Sequence, residues 1–442
     1  MSIIKLLKKK LDRTIFTTPS HNQRPLFSKE YSKFYKDDLS EYDGYDNLSN
    51  PTADILKAQA YASNVFKTGQ TFFVTQGATT AILAGMKTLI NPNDKVLVAR
   101  NCHKSVFSGL VLCCADVDWL MPEINNDWGI YTYIDFKKLD STLKLNDYKV
   151  FIMTSPTYVG INSDIEAISE ICRQNNTYLI VDEAHGALYN FSDKLPKTAI
   201  EQGADVSVNS LHKTAGALNQ TALLHINSNI RNIDVSEFQK NLNLFHTTSP
   251  SYPLLKNIEQ CIRYLNSKNG KNEIERLILN ISKIKQELQQ NDIEFFENNH
   301  DITKILLRKK GISGSNLSDI LFDKFKIEDE LNNSICCLYL TGIGTTKNKL
   351  NKLKKALLKV PVDKDFKYEE VDFQPHPNKK LNPWQAFICK GIQKNKEDVL
   401  HNVSSDIILP YPPGIGILYP GETIQEWHLK YLEDIVGVFN ET

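Results

Sequence analysis

Six short apolar runs between residues 70 and 215 alternate with turns and helical patterns, and this alternation limits the fold more than any other feature. The runs are TFFVTQG (71–77), KVLVARN (95–101), VDWLMPE (117–123), KVFIMTSPT (149–157), TYLIVDEAHG (177–186) and ADVSVNSLHK (204–213). The segments AILAGMKTLI (81–90) and SDIEAISEICRQ (163–174) have helical spacing, and Ser163 or Asp164 can cap the second. Such alternation predicts an α/β fold: a mostly parallel sheet with helices on both faces.

A domain boundary is predicted near residue 270. The chain has 442 residues, which is too long for one small core. A polar interruption at 267–272 is followed by a helical pattern. Its apolar residues are Ile274, Leu277, Ile278, Ile281 and Leu288. We therefore predict a large domain over residues 1–270, including an N-terminal arm, and a smaller α+β domain over residues 271–442.

Charge and composition argue against several classes of protein. Lys plus Arg and Asp plus Glu both number 52, so binding of nucleic acid or anionic membrane through overall charge is not expected. The eight cysteines are scattered without a C-x-x-C pair, which predicts neither a zinc site nor a disulfide framework and fits the cytoplasm. The N-terminal MSIIKLLKKKLDR is too short for a signal peptide or a membrane span, and we predict a short amphipathic helix there.

The lysine-rich stretch KLNKLKKALLKV (349–360) has an apolar helical face. Its predicted members are Leu350, Leu353, Leu357 and Leu358. This pattern predicts a solvated basic face over a buried stripe rather than a nucleic-acid patch.

Polar clusters follow the apolar runs, at the edge of the predicted sheet where ligands bind. They are Gly77–Thr79, Asn101–His103, Ser155–Tyr158, Asp182–His185 and Ser210–Lys213. The cluster in VDEAHG resembles the Asp-Glu-Ala-His box of ATP-driven helicases, but that reading requires an upstream phosphate loop, G-x-x-x-x-G-K-[ST]. The sequence has none, because TGIGTTKNK (341–349) has the wrong spacing and lies downstream. The acid at this strand end therefore serves another chemistry.

Asp182 and Lys213, predicted at the same sheet edge, indicate pyridoxal phosphate. This cofactor needs a lysine amine, a carboxylate for its ring nitrogen and donors for its phosphate. Thr79 begins a helix, where free N–H groups and the helix dipole favour an anion. Ser210 and His212 flank the lysine and could add donors. Two further candidates are His103, which could stack on the ring, and Ala184, which is small enough for close approach.

Each of these residues has a plainer structural interpretation when it is taken alone. His103 could be an ordinary structural histidine, Thr79 a helix cap and Lys213 a surface lysine. Five polar clusters at successive strand ends make that set of coincidences the weaker interpretation.

Together these motifs resemble a short member of the pyridoxal-phosphate-dependent ornithine/lysine/arginine decarboxylases of fold type I. The matching segments are YDNLSNPTADILKAQ, TFFVTQGATT, NCHKSV, TSPTYVGINSDI, VDEAHGAL, NSLHKTAGALNQTALLH, HTTSPSY and YPPGIGILYPGE. The resemblance implies decarboxylation of arginine, lysine or ornithine to the amine by a homodimer whose site lies at the subunit interface. The sequence does not choose between the three substrates.

The resemblance also implies roles for individual residues. Lys213 would carry the cofactor, Asp182 would pair with its ring nitrogen, and His103 would stack on the ring. The implied phosphate ligands are Ala78, Thr79, Ser210 and His212. Thr247 or Thr248 would complete the site of the neighbouring subunit, and Glu422 would bind the distal cation of the substrate. Lys213 or His103 is the candidate proton donor to the product.

Departures from the family pattern keep alternatives open. Residues 17–21 read Thr-Thr-Pro-Ser-His where the family has H-x-P-G-H, and Ala78 replaces a hydroxyl residue near the phosphate. An acidic turn at residues 37–46 is a second candidate for the distal cation. The alternative functions are another reaction of the same cofactor, such as aminotransfer or oxidative deamination, and a catalytically weak paralogue with a structural or regulatory role.

Overall fold

Two compact units make up the chain, and each combines two separated stretches of sequence. A computed structural model describes residues 2–7, 18–25, 27, 29–41, 44–228, 230–231, 233–298, 300–363, 365–368, 377–409 and 414–439. The first unit is Met1–Thr88 with Glu183–Ile274, and the second is Leu89–Asp182 with Glu275–Thr442. The predicted domain boundary near residue 270 remains a prediction.

The strands are short, as in a doubly covered sheet. They are β1 (Gln70–Val74), β2 (Lys95–Ala99), β3 (Asp116–Leu120), β4 (Ile124–Asn125), β5 (Ile130–Tyr131), β6 (Val150–Thr154), β7 (Tyr178–Asp182), β8 (Val206–Ser210), β9 (Ala222–Ile226), β10 (Ile293–Phe295), β11 (Ile305–Lys309), β12 (Leu331–Asn332), β13 (Cys337–Tyr339), β14 (Ile392–Asn395) and β15 (Ile435–Val438).

The helices range from one turn to six turns. They are α1 (Ser2–Leu6), α2 (Ser32–Asp37), α3 (Asp54–Phe66), α4 (Gly77–Leu89), α5 (Lys104–Leu112), α6 (Phe136–Leu143), α7 (Ile165–Gln174), α8 (Leu211–Thr214), α9 (Val235–Phe245), α10 (Tyr252–Leu265), α11 (Lys268–Gln289), α12 (Gly314–Phe325), α13 (Lys347–Lys359) and α14 (Pro383–Ile388).

The main sheet has seven strands in the order β1-β9-β8-β7-β6-β2-β3. Strands β7, β6, β2 and β3 are parallel, whereas β9 runs antiparallel to β1 and β8. All six predicted runs form strands, so the mostly parallel α/β fold is confirmed. Strand β9 was not predicted from the sequence. No helical pattern marks the short connection between Thr214, the last residue of α8, and Ala222, the first residue of β9.

The first unit contains the N-terminal helix α1, which is partly buried, and the start of α4. Ile3 and Leu6 of α1 are buried, and the Ile3 backbone N–H donates to the Glu259 carboxylate at 2.8 Å. The predicted short N-terminal helix is therefore confirmed for Ser2–Leu6. Gly77 begins α4 with φ +85°, a backbone conformation that favours glycine.

The second unit contains the parallel strands β7, β6, β2 and β3, and a smaller antiparallel sheet in the order β10-β11-β13-β12. The core of this smaller sheet includes residues from α11, α12 and α13. A separate small C-terminal region contains the β14–β15 pair, whose core residues are Val399, Leu418, Ile424, Val436 and Val438.

Two local predictions need correction. The polar interruption at 267–272 lies largely within α11, which begins at Lys268, because polar residues are readily accommodated on the exposed face of a helix. The apolar pattern that follows it is buried as expected. In α13, Leu350, Leu353 and Leu357 are buried but Leu358 is 45% exposed, because one residue is a turn of about 100° around the helix axis. Asp164 is the N-cap of α7, because its side chain accepts a hydrogen bond from the Ala167 N–H.

Within the described residues, no helix is long and apolar enough to span a membrane.

Candidate functional site

In the first unit, Lys213 lies on the single turn α8, directly after strand β8. Its Nζ is 3.0 Å from Nε2 of His185, in the loop after β7. The backbone N–H of Ser210 donates to the Ala184 carbonyl at 3.3 Å, which ties the end of β8 to the same loop. His185 is 5% exposed, whereas Lys213 is half-buried. Sequence analysis missed His185 as a site residue, although it is the histidine of the VDEAHG motif.

A chain of buried polar groups supports this arrangement. The Glu183 carboxylate accepts from the Ala199 N–H at 2.8 Å and from the Asn209 side-chain amide at 3.2 Å. The Asn209 amide oxygen lies 3.0 Å from His225 Nε2, and His225 Nδ1 lies 2.9 Å from the Thr71 hydroxyl. Burial lowers the pKa of His225 to about 3, so its ring is neutral at physiological pH. This polar chain, Glu183–Asn209–His225–Thr71, fixes the register of the strands beside Lys213.

The same unit contains the predicted phosphate ligands. Thr79 is exposed and Ala78 half-buried, both in the first turn of α4. Three buried polar atoms of this unit, Gln76 Nε2, His212 Nδ1 and Thr214 Oγ1, have no hydrogen-bond partner among the described residues. Burial lowers the pKa of His212, which favours a neutral ring. Free donors together with a helix N-terminus suit an anionic group.

Thr247 and Thr248 are exposed in the segment that follows α9. Exposure is compatible with the prediction that they serve a neighbouring subunit. That prediction remains untested by a single chain.

In the second unit, Asp182 and His103 lie at the same edge of the parallel strands. Asp182 ends β7 and is paired in register with Thr154 at the end of β6. The Thr154 hydroxyl is 3.6 Å from Sγ of Cys102, which follows β2. His103 caps α5, because its Nδ1 accepts from the Ser105 N–H at 3.2 Å. Asp182 and Cys102 are buried, and burial raises the pKa of the Cys102 thiol to about 12, so this thiol is protonated near pH 7.

Glu422 lies in a buried ion pair, also in the second unit. Its Oε2 is 2.9 Å from Nη2 of Arg100 and accepts from the Tyr419 N–H at 2.8 Å. The two charged side chains are 4% and 2% exposed. Burial raises the pKa of Glu422, while the Arg100 charge acts in the opposite direction. Sequence analysis missed Arg100, whose signal was its position directly after the apolar run of β2.

Of the acidic turn predicted as an alternative, Asp46 is engaged by backbone N–H groups at the start of α3. It accepts from Thr52, Ala53 and Ile55 at 2.9, 3.0 and 2.7 Å. Asp37 pairs with Lys256, and Asp43 and Thr17 lie outside the described residues. A carboxylate that caps a helix in this way is a structural element.

Comparison with known protein families matches nearly the whole chain. The Orn/Lys/Arg decarboxylase major domain matches residues 4–309, and the C-terminal domain of the same family matches residues 369–441. Arginine decarboxylase of Bacillus anthracis is 31% identical over 94% of this chain and 89% of the relative. Arginine decarboxylase of Bacillus subtilis (strain 168) is 28% identical, again over 94% and 89%.

Solved structures agree on the fold. Constitutive lysine decarboxylase of E. coli superposes with a TM-score of 0.82 at 20% identity, covering 97% of this chain and 76% of that chain. An alanine–glyoxylate aminotransferase from Nostoc superposes over 73% of this chain with a TM-score of 0.57. The family and these neighbours use pyridoxal phosphate, and at this level of identity the structures establish the fold alone.

Proposed function

The chain belongs to the Orn/Lys/Arg decarboxylase family, and on that premise we propose that it decarboxylates a basic amino acid to the corresponding amine and carbon dioxide. The observation that carries the proposal is Lys213, held after β8 with its amine 3.0 Å from His185. The two Bacillus relatives described above are named arginine decarboxylases, so arginine is the first substrate to test, before lysine and ornithine.

We propose that pyridoxal phosphate is the cofactor and that this chain's residues fit it. Lys213 would hold it through its amine and Asp182 through the ring nitrogen, while His103 would lie against the ring and Ala184 would allow close approach. The phosphate ligands would be Ala78, Thr79, Ser210 and His212. The buried polar atoms of Gln76, His212 and Thr214, which have no hydrogen-bond partner in the described part of the chain, support this fit.

When bound, pyridoxal phosphate supplies a ring that accepts the electron pair of the broken bond. Asp182 would stabilise the proton on the ring nitrogen, because a carboxylate favours a neighbouring positive charge. The Lys213 amine and the His103 ring are the candidate proton donors to the product carbon. His185 would hold a proton at Nε2 and exchange it with Lys213, an additional role suggested by their contact.

Two further proposals concern the assembly and its surroundings. We propose a homodimer in which Thr247 or Thr248 completes the neighbouring subunit's site, supported by their exposure. We also propose a cytoplasmic protein that acts on a small molecule and not on nucleic acid or membrane, supported by the cysteine pattern and the balanced charge.

Amine release from a substrate panel tests the function. The purified chain, loaded with pyridoxal phosphate, is incubated with arginine, lysine and ornithine, and amine and carbon dioxide are measured. Lys213→Ala should abolish the visible absorbance of the bound cofactor and lower turnover by about a thousandfold or more. Lys67→Ala is the control, because this surface lysine is 70% exposed and pairs only with Glu201 among the ion pairs of the described residues.

Two results would contradict the proposal. Undiminished turnover in Lys213→Ala would remove the lysine from the mechanism. Absence of amine from all three substrates, with cofactor bound, would favour the catalytically weak paralogue, for which the missing hydroxyl at Ala78 is the motivating observation.

A further inference from the structure

The two oxygens of the Glu422 carboxylate differ in their hydrogen bonding. Oε2 accepts from both Arg100 and the Tyr419 N–H, whereas Oε1 is buried and has no hydrogen-bond partner among the residues that the structure describes. A buried acceptor without a partner is costly, and such a group requires an explanation.

Arg100 is held by ring stacking and by the hydrogen bonds of Nη2, while its Nη1 has no hydrogen-bond partner among the described residues. Its guanidinium lies 4.8 Å from the Trp119 ring centroid and 4.3 Å from that of Tyr419, and Nη2 also donates to the Ile417 carbonyl at 3.1 Å. Phe107 of α5 stacks on the other side of the aromatic cluster, 4.7 Å from Tyr419 with an interplanar angle of 5°. Because a stacked arginine loses little freedom when it forms a hydrogen bond, Arg100 can fix the orientation of the carboxylate.

We propose that Arg100 is a positioning residue for substrate recognition. It fixes Oε2 of Glu422, so that Oε1 accepts a hydrogen bond from the distal ammonium or guanidinium of a basic amino acid. This inference rests on the proposed function, since it requires Glu422 to bind the distal cation.

Arg100 also favours the ionised form of Glu422. Burial raises the pKa of Glu422 and Arg100 opposes that rise, so removal of Arg100 allows protonation at a higher pH. Among the described residues, the titratable side chains coupled to Arg100 or Glu422 are Tyr131, Tyr419 and His428, and Cys102 is coupled to Tyr419. Burial raises the pKa of the two tyrosines and the cysteine and lowers that of His428 to about 4, so all four are neutral near pH 7. Lys379, whose backbone bridges to Glu422, directs its ammonium to Asp116.

The test compares Arg100→Met, Arg100→Lys, Glu422→Gln and the double variant Arg100→Met/Glu422→Gln, each loaded with cofactor. We expect Arg100→Met to raise KM for the preferred basic amino acid about tenfold or more, with kcat changed less than threefold and the cofactor absorbance unchanged. KM of Arg100→Met should fall as pH rises, because Glu422 then ionises, whereas KM of Glu422→Gln should not. Arg100→Lys keeps the charge and should retain KM within about threefold.

The double variant and a matched control separate positioning from a general loss of stability. Because Arg100 acts through Glu422, KM of the double variant should equal that of Glu422→Gln alone. Arg308→Met is the control, since Arg308 also lies over a tryptophan, 4.6 Å from the Trp128 centroid, and pairs with Glu294 at 2.7 Å. Its KM should stay at the wild-type value.

A readout without turnover completes the test. Calorimetric binding of the product amine should weaken in Arg100→Met by the same factor as KM. Wild-type KM and amine binding in Arg100→Met, or additive effects of the two substitutions, would overturn the positioning role. Failure of the wild-type chain to release any amine would instead overturn the proposed function. If Arg100→Met does not fold, an Arg100→Lys variant whose KM equals that of Glu422→Gln overturns the positioning role as well.

Discussion

The two units bury charged and polar groups in different ways. In the first unit, the Glu183 carboxylate has protein partners on both oxygens and is linked through Asn209 to a neutral His225. In the second unit, Glu422 is paired with a cationic Arg100, and one carboxylate oxygen of Glu422 has no hydrogen-bond partner within the described ranges. A carboxylate whose two oxygens both accept hydrogen bonds, as in Glu183, suits a structural role that holds strands in register. A carboxylate with one unpartnered oxygen among the described residues, as in Glu422, suits a role in ligand binding.

Breaking the ion pair is expected to have the largest effect on stability. Arg100→Met or Glu422→Leu alone leaves a buried charge without a partner and should lower the free energy of unfolding by about 3 to 5 kcal/mol. The double variant should lose less than the sum, because both charges leave together. Urea unfolding of all four proteins measures this cycle. Additive losses would show that the two side chains are not coupled.

Removing the buried Glu183 carboxylate of the first unit is expected to have the next largest effect on stability. Glu183→Leu leaves the Ala199 N–H without an acceptor and removes one of the two acceptors of the Asn209 side-chain amide, which keeps the Glu183 backbone carbonyl at 2.8 Å. This loss should cost about 1 to 3 kcal/mol in urea unfolding. Glu237→Leu is the control, because Glu237 is 47% exposed and its pair with Lys240 should contribute less than about 1 kcal/mol. Equal losses in the two variants would contradict a supporting role for the polar chain.

The neutral histidine makes the first unit sensitive to acid. The pKa of His225 is about 3 in the folded chain and 6.5 when unperturbed, so the unfolded chain binds one more proton between these values. Stability is therefore lost as pH falls from 6.5 towards 3, by about 1.4 kcal/mol for each pH unit. His225→Gln should reduce the slope of unfolding free energy against pH by one proton, whereas the exposed His401→Gln should not. A slope that is unchanged in His225→Gln would rule out this titration.

The smallest predicted effect concerns cofactor binding at Ala78 and Thr79, the predicted phosphate ligands in the first turn of α4. Ala78→Ser adds a hydroxyl donor at a predicted phosphate ligand and should tighten binding of pyridoxal phosphate by up to about fivefold, or about 1 kcal/mol. Thr79→Ala is the matched opposite and should weaken binding by a similar factor. Titration followed by cofactor absorbance measures both. Weaker cofactor binding in Ala78→Ser together with tighter binding in Thr79→Ala would show that the phosphate does not bind at this turn.

Much of the fold was predictable because its signals are local. Buried parallel strands read as nearly continuous apolar runs, so all six predicted runs were found as strands. The apolar helical pattern after residue 272 was equally readable, since its residues are buried as the spacing requires. Strand β9 was not predicted because it follows α8 after a short connection without a helical pattern. It pairs antiparallel with β8, so it does not follow the alternation of strand and helix that marks the parallel strands.

The sequence by itself determined the strand-end clusters and, through their motifs, the family and the candidate residues Lys213, Asp182 and His103. Only the tertiary structure decided which partners the buried groups acquire: His185 against Lys213, and Arg100 against Glu422 across 322 residues. The physical reason is that periodicity and turn chemistry act over a few residues, whereas an ion pair or a buried hydrogen bond depends on which distant segments the chain topology brings into contact.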